Sequence, residues 1–327
     1  MDSIEDFNIN KPVWPWTEKV ISKTDLKLVN WPKISIVTPS YNQGQFIEET
    51  ILSVLNQNYP NLEYIIIDGG STDNTIEIIR KYESKLTYWE SVKDRGQTHA
   101  INKGFEKASG EILAYLNSDD CFYDNSFFII ANEFLKNNGN DDFLFIGNCY
   151  CAKSLDDKNG ELDIPNFPGS LIKALEKKFL APQPSMFWTM RNHKLKFNES
   201  LKFCMDFEFW LQLITSHYKV IRINETLSFF RDHLNSKSNN LHNILNLEIH
   251  GVSSIYLKNL AVQKESIQLR LANLNAEIYN VSELILESLK EKRIYEGLTE
   301  LLKSKLPLGI RIYTLKRFLR TKLSKRQ

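Results

Sequence analysis

From residue 34 to about 147, short apolar runs alternate with longer stretches whose apolar positions recur at helical spacing. ISIVT (34–38) reads as a buried strand, and 45–57 as a helix with Ile47, Ile51, Val54 and Leu55 on one face. EYIII (63–67) is a second strand ending at Asp68, followed by a helix over 73–82. A strand over 86–90, a helix over 97–107, a strand over 111–116, a helix over 125–137 and an apolar strand over 143–146 continue the series. Strands separated by single helices predict an α/β fold with a mainly parallel sheet flanked by helices. From about 148 the alternation lapses. Residues 169–179 and 205–216 read as helices, 219–231 as two short strands, and the chain beyond 240 as helical. Residues 1–33 have no sustained period, and Trp14, Trp16 and Trp31 among three prolines predict an irregular arm docked through its tryptophans. The expected organisation is therefore an arm (1–33), a domain over 34–239 with halves 34–147 and 148–239, and a helical region over 240–327.

In parallel sheets ligands bind beyond the carboxyl ends of the strands. The first four predicted strands are followed there by PSYNQG (39–44), DGGSTD (68–73), DRGQ (94–97) and NSDD (117–120). Four successive strand ends thus carry polar turns, most with carboxylates, and this concentration is the strongest site signal in the chain.

Composition narrows the class. With 42% hydrophobic and 25% charged residues, the chain is an ordinary globular one, which excludes disordered and fibrous proteins. Four cysteines without a CxxC pair exclude a zinc ribbon or a disulfide framework and fit a reducing, cytoplasmic compartment. MDSIEDFNIN lacks the basic and apolar segments of a signal peptide, and no run approaches the roughly 20 apolar residues of a membrane span. The net charge of +1 hides an asymmetry: residues 301–327 hold nine Lys and Arg and no acid. Leu308, Ile312, Leu315, Leu319 and Leu323 approximate one face of a helix there. Such a basic amphipathic helix can lie on an anionic membrane surface, on the inner face of the membrane, or pack on the body. Aromatic platforms for nucleic acid are sparse beside it, so no nucleic-acid partner is expected.

Taken by their chemistry, Asp119 and Asp120 can hold a hard divalent cation, accept from a ribose, or cap the following helix. Asp68 closes an apolar strand, where its carboxylate needs a donor that a ligand's N–H would supply. Asp73 reads as a helix cap. Tyr41 can offer a ring face to a base, and Arg95 can pair with a phosphate. Farther on, Phe207, Trp210, Leu211 and Ile214 mark one helix face, and Asp206 opens that helix. If an acid of this helix is a catalytic base, Asp206 is better placed than Glu208. His233 lies in a polar loop, RDHLNSKS (231–238), with Arg231 and Lys237.

TPSYNQGQFIEETILSVLNQNYPNLEYIIIDGGSTDNT and DRGQTHAINKGFEKASGEILAYLNSDD together resemble the nucleotide-binding half of the family-2 glycosyltransferases of GT-A fold. MDFEFWLQL resembles the family's later acidic helix, and RDHLNSKS its C-terminal loop, so the match covers about 33–238 with motifs in order. The resemblance implies an inverting transferase that needs Mn2+ or Mg2+ and a nucleoside-diphosphate sugar, a UDP-sugar foremost, with 34–147 binding the donor and 148–239 the acceptor. It implies that Pro39, Tyr41 and Asp68 hold the nucleobase with Arg95 close by, Asp119 contacts the ribose, and Asp120 the metal. Asp206 would be the base that takes the acceptor hydroxyl proton, and His233 would help to hold the diphosphate or metal. Many members carry two adjacent acids after the second strand, whereas here the second is Gly69. A glycan or lipid-linked acceptor in surface-polysaccharide assembly would suit a peripheral membrane enzyme. The competing readings are a nucleotidyltransferase, whose Gly-rich phosphate loop is missing after the first strand, and a non-catalytic nucleotide-sugar or glycan-binding protein.

Overall fold

Ile34–Ser40, rich in β-branched residues, forms strand β1, and all seven of its residues are buried in the computed structural model. That model describes residues 14–15, 30–137, 141–165, 175, 181–190, 195–233 and 248–256. β1 leads to helix α1 (Ile47–Leu55), β2 (Leu62–Asp68), α2 (Thr75–Lys81), β3 (Tyr88–Ser91), α3 (Gln97–Lys107), β4 (Ile112–Tyr115), β5 (Cys121–Phe122) and α4 (Ser126–Lys136). β6 (Phe143–Ala152), β7 (Glu161–Asp163), β8 (Met186–Thr189), α5 (Met205–Thr215) and β9 (Lys219–Arg231) follow.

The strands form one sheet in the order β3-β2-β1-β4-β8-β6-β9-β5, with β7 paired to β6. β1 pairs in parallel with both β2 and β4, and β2 with β3, so the four predicted strands run side by side as expected. The second half makes the sheet mixed, because β8 is antiparallel to both β4 and β6. Since β1 has β2 on one side and β4 on the other, the connections leave it in opposite directions. That topological switch opens a crevice at the carboxyl ends of β1 and β4.

Where two short strands are expected at 219–231, the chain forms one 13-residue strand. β9 runs parallel to β6, with the register slipping between Ile146 and Cys149. The polar interruption Asn224-Glu225-Thr226 is absorbed by that irregularity. Asn148 Nδ2 donates to the Asn224 carbonyl at 2.5 Å, and Arg222 donates to Asn148 Oδ1. Gly147 is needed there, since a Cβ at 147 would lie 2.4 Å from Leu227 Cδ1. β6 also extends to Ala152, well beyond the predicted end.

The arm docks as expected where it is described. Trp14 donates its indole N–H to the Phe122 carbonyl at 2.8 Å, and Asn56 Nδ2 donates to the Pro15 carbonyl at 2.6 Å. Trp31 packs edge-on against Tyr59 and Phe128, its ring 5.2 Å from that of Phe128. Trp16 lies outside the described residues, as do the predicted helix over 169–179 apart from Leu175, and the basic tail.

A polar cluster closes the opposite, amino-terminal edge of the parallel strands. Glu63 Oε2 accepts from Ser35 Oγ and from the Ser109 amide at 2.7 Å, and Glu63 Oε1 accepts from Ser109 Oγ at 2.8 Å. Burial pushes this carboxyl up, but the donors on Ser35 and Ser109 and the charge of Lys33 hold it below the usual range. Its stabilising effect is therefore present above the unfolded pKa and lost as pH falls through the lowered folded one. Glu63→Ala should cost roughly 1–3 kcal/mol by leaving those donors unpaired, read from urea unfolding near neutral pH.

The chain divides into two compact units. The sheet lies wholly in the first, which comprises 1–165, 181–194 and 217–232. The second comprises 166–180, 195–216 and 233–327, and its described part centres on α5 and a helical stretch over 248–256. Within it Phe197 stacks on Phe209 at 3.9 Å, and α5 buries Phe207, Phe209, Trp210, Leu211 and Leu213, a wider face than the single stripe expected.

Candidate functional site

The β1 and β2 loops are laced together by their own short side chains. The Asn42 amide donates to Ser71 Oγ (2.7 Å), the Thr72 amide to Asn42 Oδ1 (2.8 Å), and the Gln43 amide to Thr75 Oγ1 (2.9 Å). Asn42 has a left-handed φ of 51°, a conformation that asparagine tolerates well. Asp73 accepts from the Gly44 amide through Oδ2 and from the Thr75 amide through Oδ1, both at 3.0 Å. It thus pins the β1 loop and takes an orphan donor of α2, close to the cap expected, although Asn74 holds the cap position itself.

Asp68 is fully buried at the end of β2. Its Oδ2 accepts from the amides of Gly70 (3.0 Å) and Ser71 (2.8 Å) and from Ser91 Oγ (2.6 Å), while Oδ1 accepts from Ser71 Oγ at 2.5 Å. The expectation that it requires a donor from a ligand is corrected: the tight DGGS turn folds its own amides and hydroxyl back onto the carboxylate. Ser71→Ala should strand both Asp68 Oδ1 and the Asn42 amide and cost about 1–3 kcal/mol, measurable by chemical denaturation.

The third loop closes on the same place. A Cβ on Gly69 would lie 3.1 Å from Asp94 Oδ2. The carboxylate of Asp94 therefore stands where a second acid after β2 would project, which accounts for glycine at 69. Arg95 is exposed beside it, and Tyr41 is 60% exposed at the β1 end. Pro39 is buried in β1 opposite Ile67. Ser40 Oγ and Gln43 Oε1 are buried with no hydrogen-bond partner among the described atoms, so two polar atoms of the β1 end remain for a ligand or water.

At the β4 end, amides form a directed chain. Gln183 Nε2 donates to the Tyr115 carbonyl (2.8 Å), its Oε1 accepts from Asn117 Nδ2 (3.1 Å), and Asn117 Oδ1 accepts from Gln97 Nε2 (2.6 Å). The carbonyl end can only accept, so it fixes the orientation of every amide along the chain. Asp120 follows. Its backbone carbonyl accepts from Thr50 Oγ1 at 2.7 Å, its Oδ1 from the Arg231 amide at 3.0 Å, and among the described residues its Oδ2 meets only Asn117 Nδ2 at 3.4 Å. Burial, and next the neighbouring charge of Asp119, push the Asp120 carboxyl well above the usual carboxylate range. A buried acid with one weakly engaged oxygen is costly for a bare scaffold and suited to a cation.

The donor set fits a hard divalent ion that keeps outside ligands. Asp119 and Asp120 supply carboxylates, and no group of three or more His, Cys, Asp or Glu suited to a metal occurs among the described residues. Water and substrate phosphate oxygens would have to complete such a shell, which is the usual habit of Mg2+.

Pro39, Tyr41, Asp68, Arg95, Asp119 and Asp120 are thus brought to one edge of the sheet. Asp206 and His233 belong to the second unit. Asp206 sits inside the first turn of α5, with Cys204 at the cap position. Glu248 accepts from the amides of Lys202, Phe203 and Cys204 at 2.8–3.2 Å and so fixes the chain that enters α5. Glu208 accepts from Gln212 Nε2 (2.7 Å) and Tyr256 Oη (3.1 Å), so its carboxylate has structural partners. Burial raises its pKa.

Sequence reasoning places Asn117 in a site turn but misses its pairing with Gln183 and Gln97, and the structural part of Arg231. Asn117 and Gln97 belong to turns already in view, NSDD and DRGQ, but Gln183 lies 66 residues from its partner Asn117, beyond any local signal of their contact.

Residues 35–196 match the family model described as glycosyl transferase family 2. A putative teichuronic acid biosynthesis glycosyltransferase, TuaG of Bacillus subtilis, is 42% identical over 99 residues, covering 28% of this chain and 38% of TuaG. An uncharacterized glycosyltransferase of Haemophilus influenzae is 37% identical over 120 residues, covering 34% of this chain and 48% of the relative. The chain spans less than half the length of these two relatives. Among solved structures, S. aureus TarS 1–349 in complex with UDP-GlcNAc superposes with a TM-score of 0.57 at 16% identity, covering 88% of this chain and 81% of that one. That likeness is one of fold.

Proposed function

The chain belongs to glycosyltransferase family 2, with the GT-A fold, and from that premise we propose that it moves a sugar from a nucleoside-diphosphate donor to an acceptor hydroxyl with inversion. The observation that carries this reading is Asp120, buried at the switch point with one oxygen engaged by backbone and the other by a single long contact. Asp120, with Asp119 beside it, would hold Mn2+ or Mg2+, which when bound supplies a Lewis acid to the leaving diphosphate.

Every other part belongs to the chain. Tyr41, exposed above β1, offers a ring face for the base, and Pro39 and Asp68 set the backbone beneath it. Ser40 Oγ and Gln43 Oε1 are polar groups available to the nucleoside. Arg95 approaches from the β3 loop as a cation for phosphate. Asp206 takes the proton of the acceptor hydroxyl, which is far too weak an acid to ionise unaided at neutral pH. A single displacement assisted by that base inverts the anomeric carbon. His233 is assigned to the diphosphate side.

UDP-sugars are the first donors to test, because TarS, of the same fold, is described in complex with UDP-GlcNAc. The putative role of its relative TuaG in teichuronic acid biosynthesis favours a surface-polysaccharide or lipid-linked acceptor. No helix among the described residues is long and apolar enough to cross a membrane. Membrane attachment would rest on the basic tail, outside the described residues. The test of inversion is the anomeric configuration of the transferred sugar, read by NMR from an α-linked donor. A β-linked product is expected, and an α-linked one would refute the assignment of Asp206.

A further inference from the structure

One arginine at the end of β9 ties α1 to the Asp119–Asp120 turn beyond β4. Arg231, the last residue of β9, is 5% exposed. Its backbone amide donates to Asp120 Oδ1 at 3.0 Å, and its Nε donates to the carbonyl of Asp119 at 2.9 Å. Its Nη2 forms an ion pair with Glu49 of α1. The guanidinium also lies over the rings of Phe46 and Phe229, 4.9 and 5.2 Å from their centres.

This arrangement does more than neutralise charge. A planar fork directed by Nε at one acceptor and by Nη2 at another has its plane fixed, and the two aromatic rings hold it further. The Asp119 peptide is fixed with it. Because side chains leave the backbone in set directions, clamping the Asp119 carbonyl also sets where both carboxylates can point. The Arg231 amide meanwhile occupies Asp120 Oδ1, so Oδ2 is the oxygen left for a ligand. A lysine could retain the positive charge but not the two-point geometry.

We propose that Arg231, anchored by Glu49, is the positioning residue that holds the Asp119–Asp120 turn in its cation-binding form. It touches neither the sugar nor the reacting atoms. The inference rests on the reading of Asp119 and Asp120 as the metal site. It adds that the site's affinity is set from α1 and β9, elements that supply no ligand. Loss of an outer partner of a metal ligand typically weakens metal binding about 10–100-fold.

The test is Mn2+ binding in the presence of UDP, followed by the EPR signal of free Mn2+, for the full chain and for Arg231→Lys, Arg231→Met and Glu49→Gln. Both Arg231 variants should weaken Mn2+ binding by about 10–100-fold, Lys nearly as much as Met, because the fork and not the charge alone is lost. Glu49→Gln should weaken it less, in the same direction, and its partly exposed site keeps the comparison open if an Arg231 variant fails to fold. UDP binding measured in EDTA should be unchanged in all three, which a general loss of structure would not allow. Variants that bind Mn2+ as tightly as the parent protein would overturn the inference alone. A parent protein that binds no Mn2+ with UDP would overturn the metal reading and this inference together.

Discussion

Asp120→Asn should abolish metal-dependent nucleotide binding and at the same time make the metal-free protein more stable at neutral pH. The two effects share one cause. Burial and the nearby charge of Asp119 raise the folded-state pKa of Asp120 above its unfolded value. Between those two values the folded protein binds more protons than the unfolded one, so stability falls as pH rises, and above the folded value the full penalty is present. An amide at 120 carries no such penalty. In EDTA the variant should therefore melt about 2–4 °C above the parent near neutral pH, and the difference should close as pH falls towards the unfolded carboxylate range. Saturating Mn2+ with UDP should reverse the order, because only the parent gains from binding. Melting curves across pH, with and without the ion, measure both parts. A variant that is no more stable in EDTA would mean that the carboxylate is compensated by groups other than a ligand.

Asp206→Asn should have the opposite signature. If Asp206 removes the acceptor proton, its amide leaves donor binding intact and lowers kcat by about 10²–10⁴-fold, the usual contribution of a positioned general base. KM for the donor should move little, since the substitution touches the acceptor's proton. Asp206 lies within the first turn of α5, and Glu248 accepts from the amides that lead into that helix. The pH dependence of kcat, which rises with ionisation of the base in the parent, should flatten in the variant. A variant with parental kcat would move the base to another residue, and Glu208, held by Gln212 and Tyr256, would be the next to substitute.

The carboxyl-edge loops were legible in the sequence because each is a polar turn between an apolar run and a helical period, a purely local signal. The same is true of β1, β2 and α3, whose periods survive almost unchanged. β9 was not legible as one strand, since its continuity through Asn224–Thr226 depends on the bulged register with β6 and on Asn148 accepting Arg222 while donating to Asn224. The two-residue β5 is too short to have a period at all. The site divides in the same way. Asp68, Asp119 and Asp120 announce themselves as acids at strand ends, but what each does depends on donors supplied from afar. Asp68 looked short of donors because hydrogen bonds made within a DGGS turn cannot be read from an apolar strand preceding it. Arg231 lies 182 residues from Glu49 and 112 from Asp119, and only the fold makes them neighbours.

The central claim is that the carboxyl edge of β1–β4 binds a nucleoside-diphosphate sugar through a divalent ion. Its most direct measurement is calorimetric titration of a panel of such donors, UDP-GlcNAc first, into the full chain with Mn2+ and then with EDTA. The account predicts that one donor binds in Mn2+ and at least about tenfold more weakly in EDTA, a difference of about 1.4 kcal/mol. Equal binding in both conditions, or no binding of any donor in either, would contradict it.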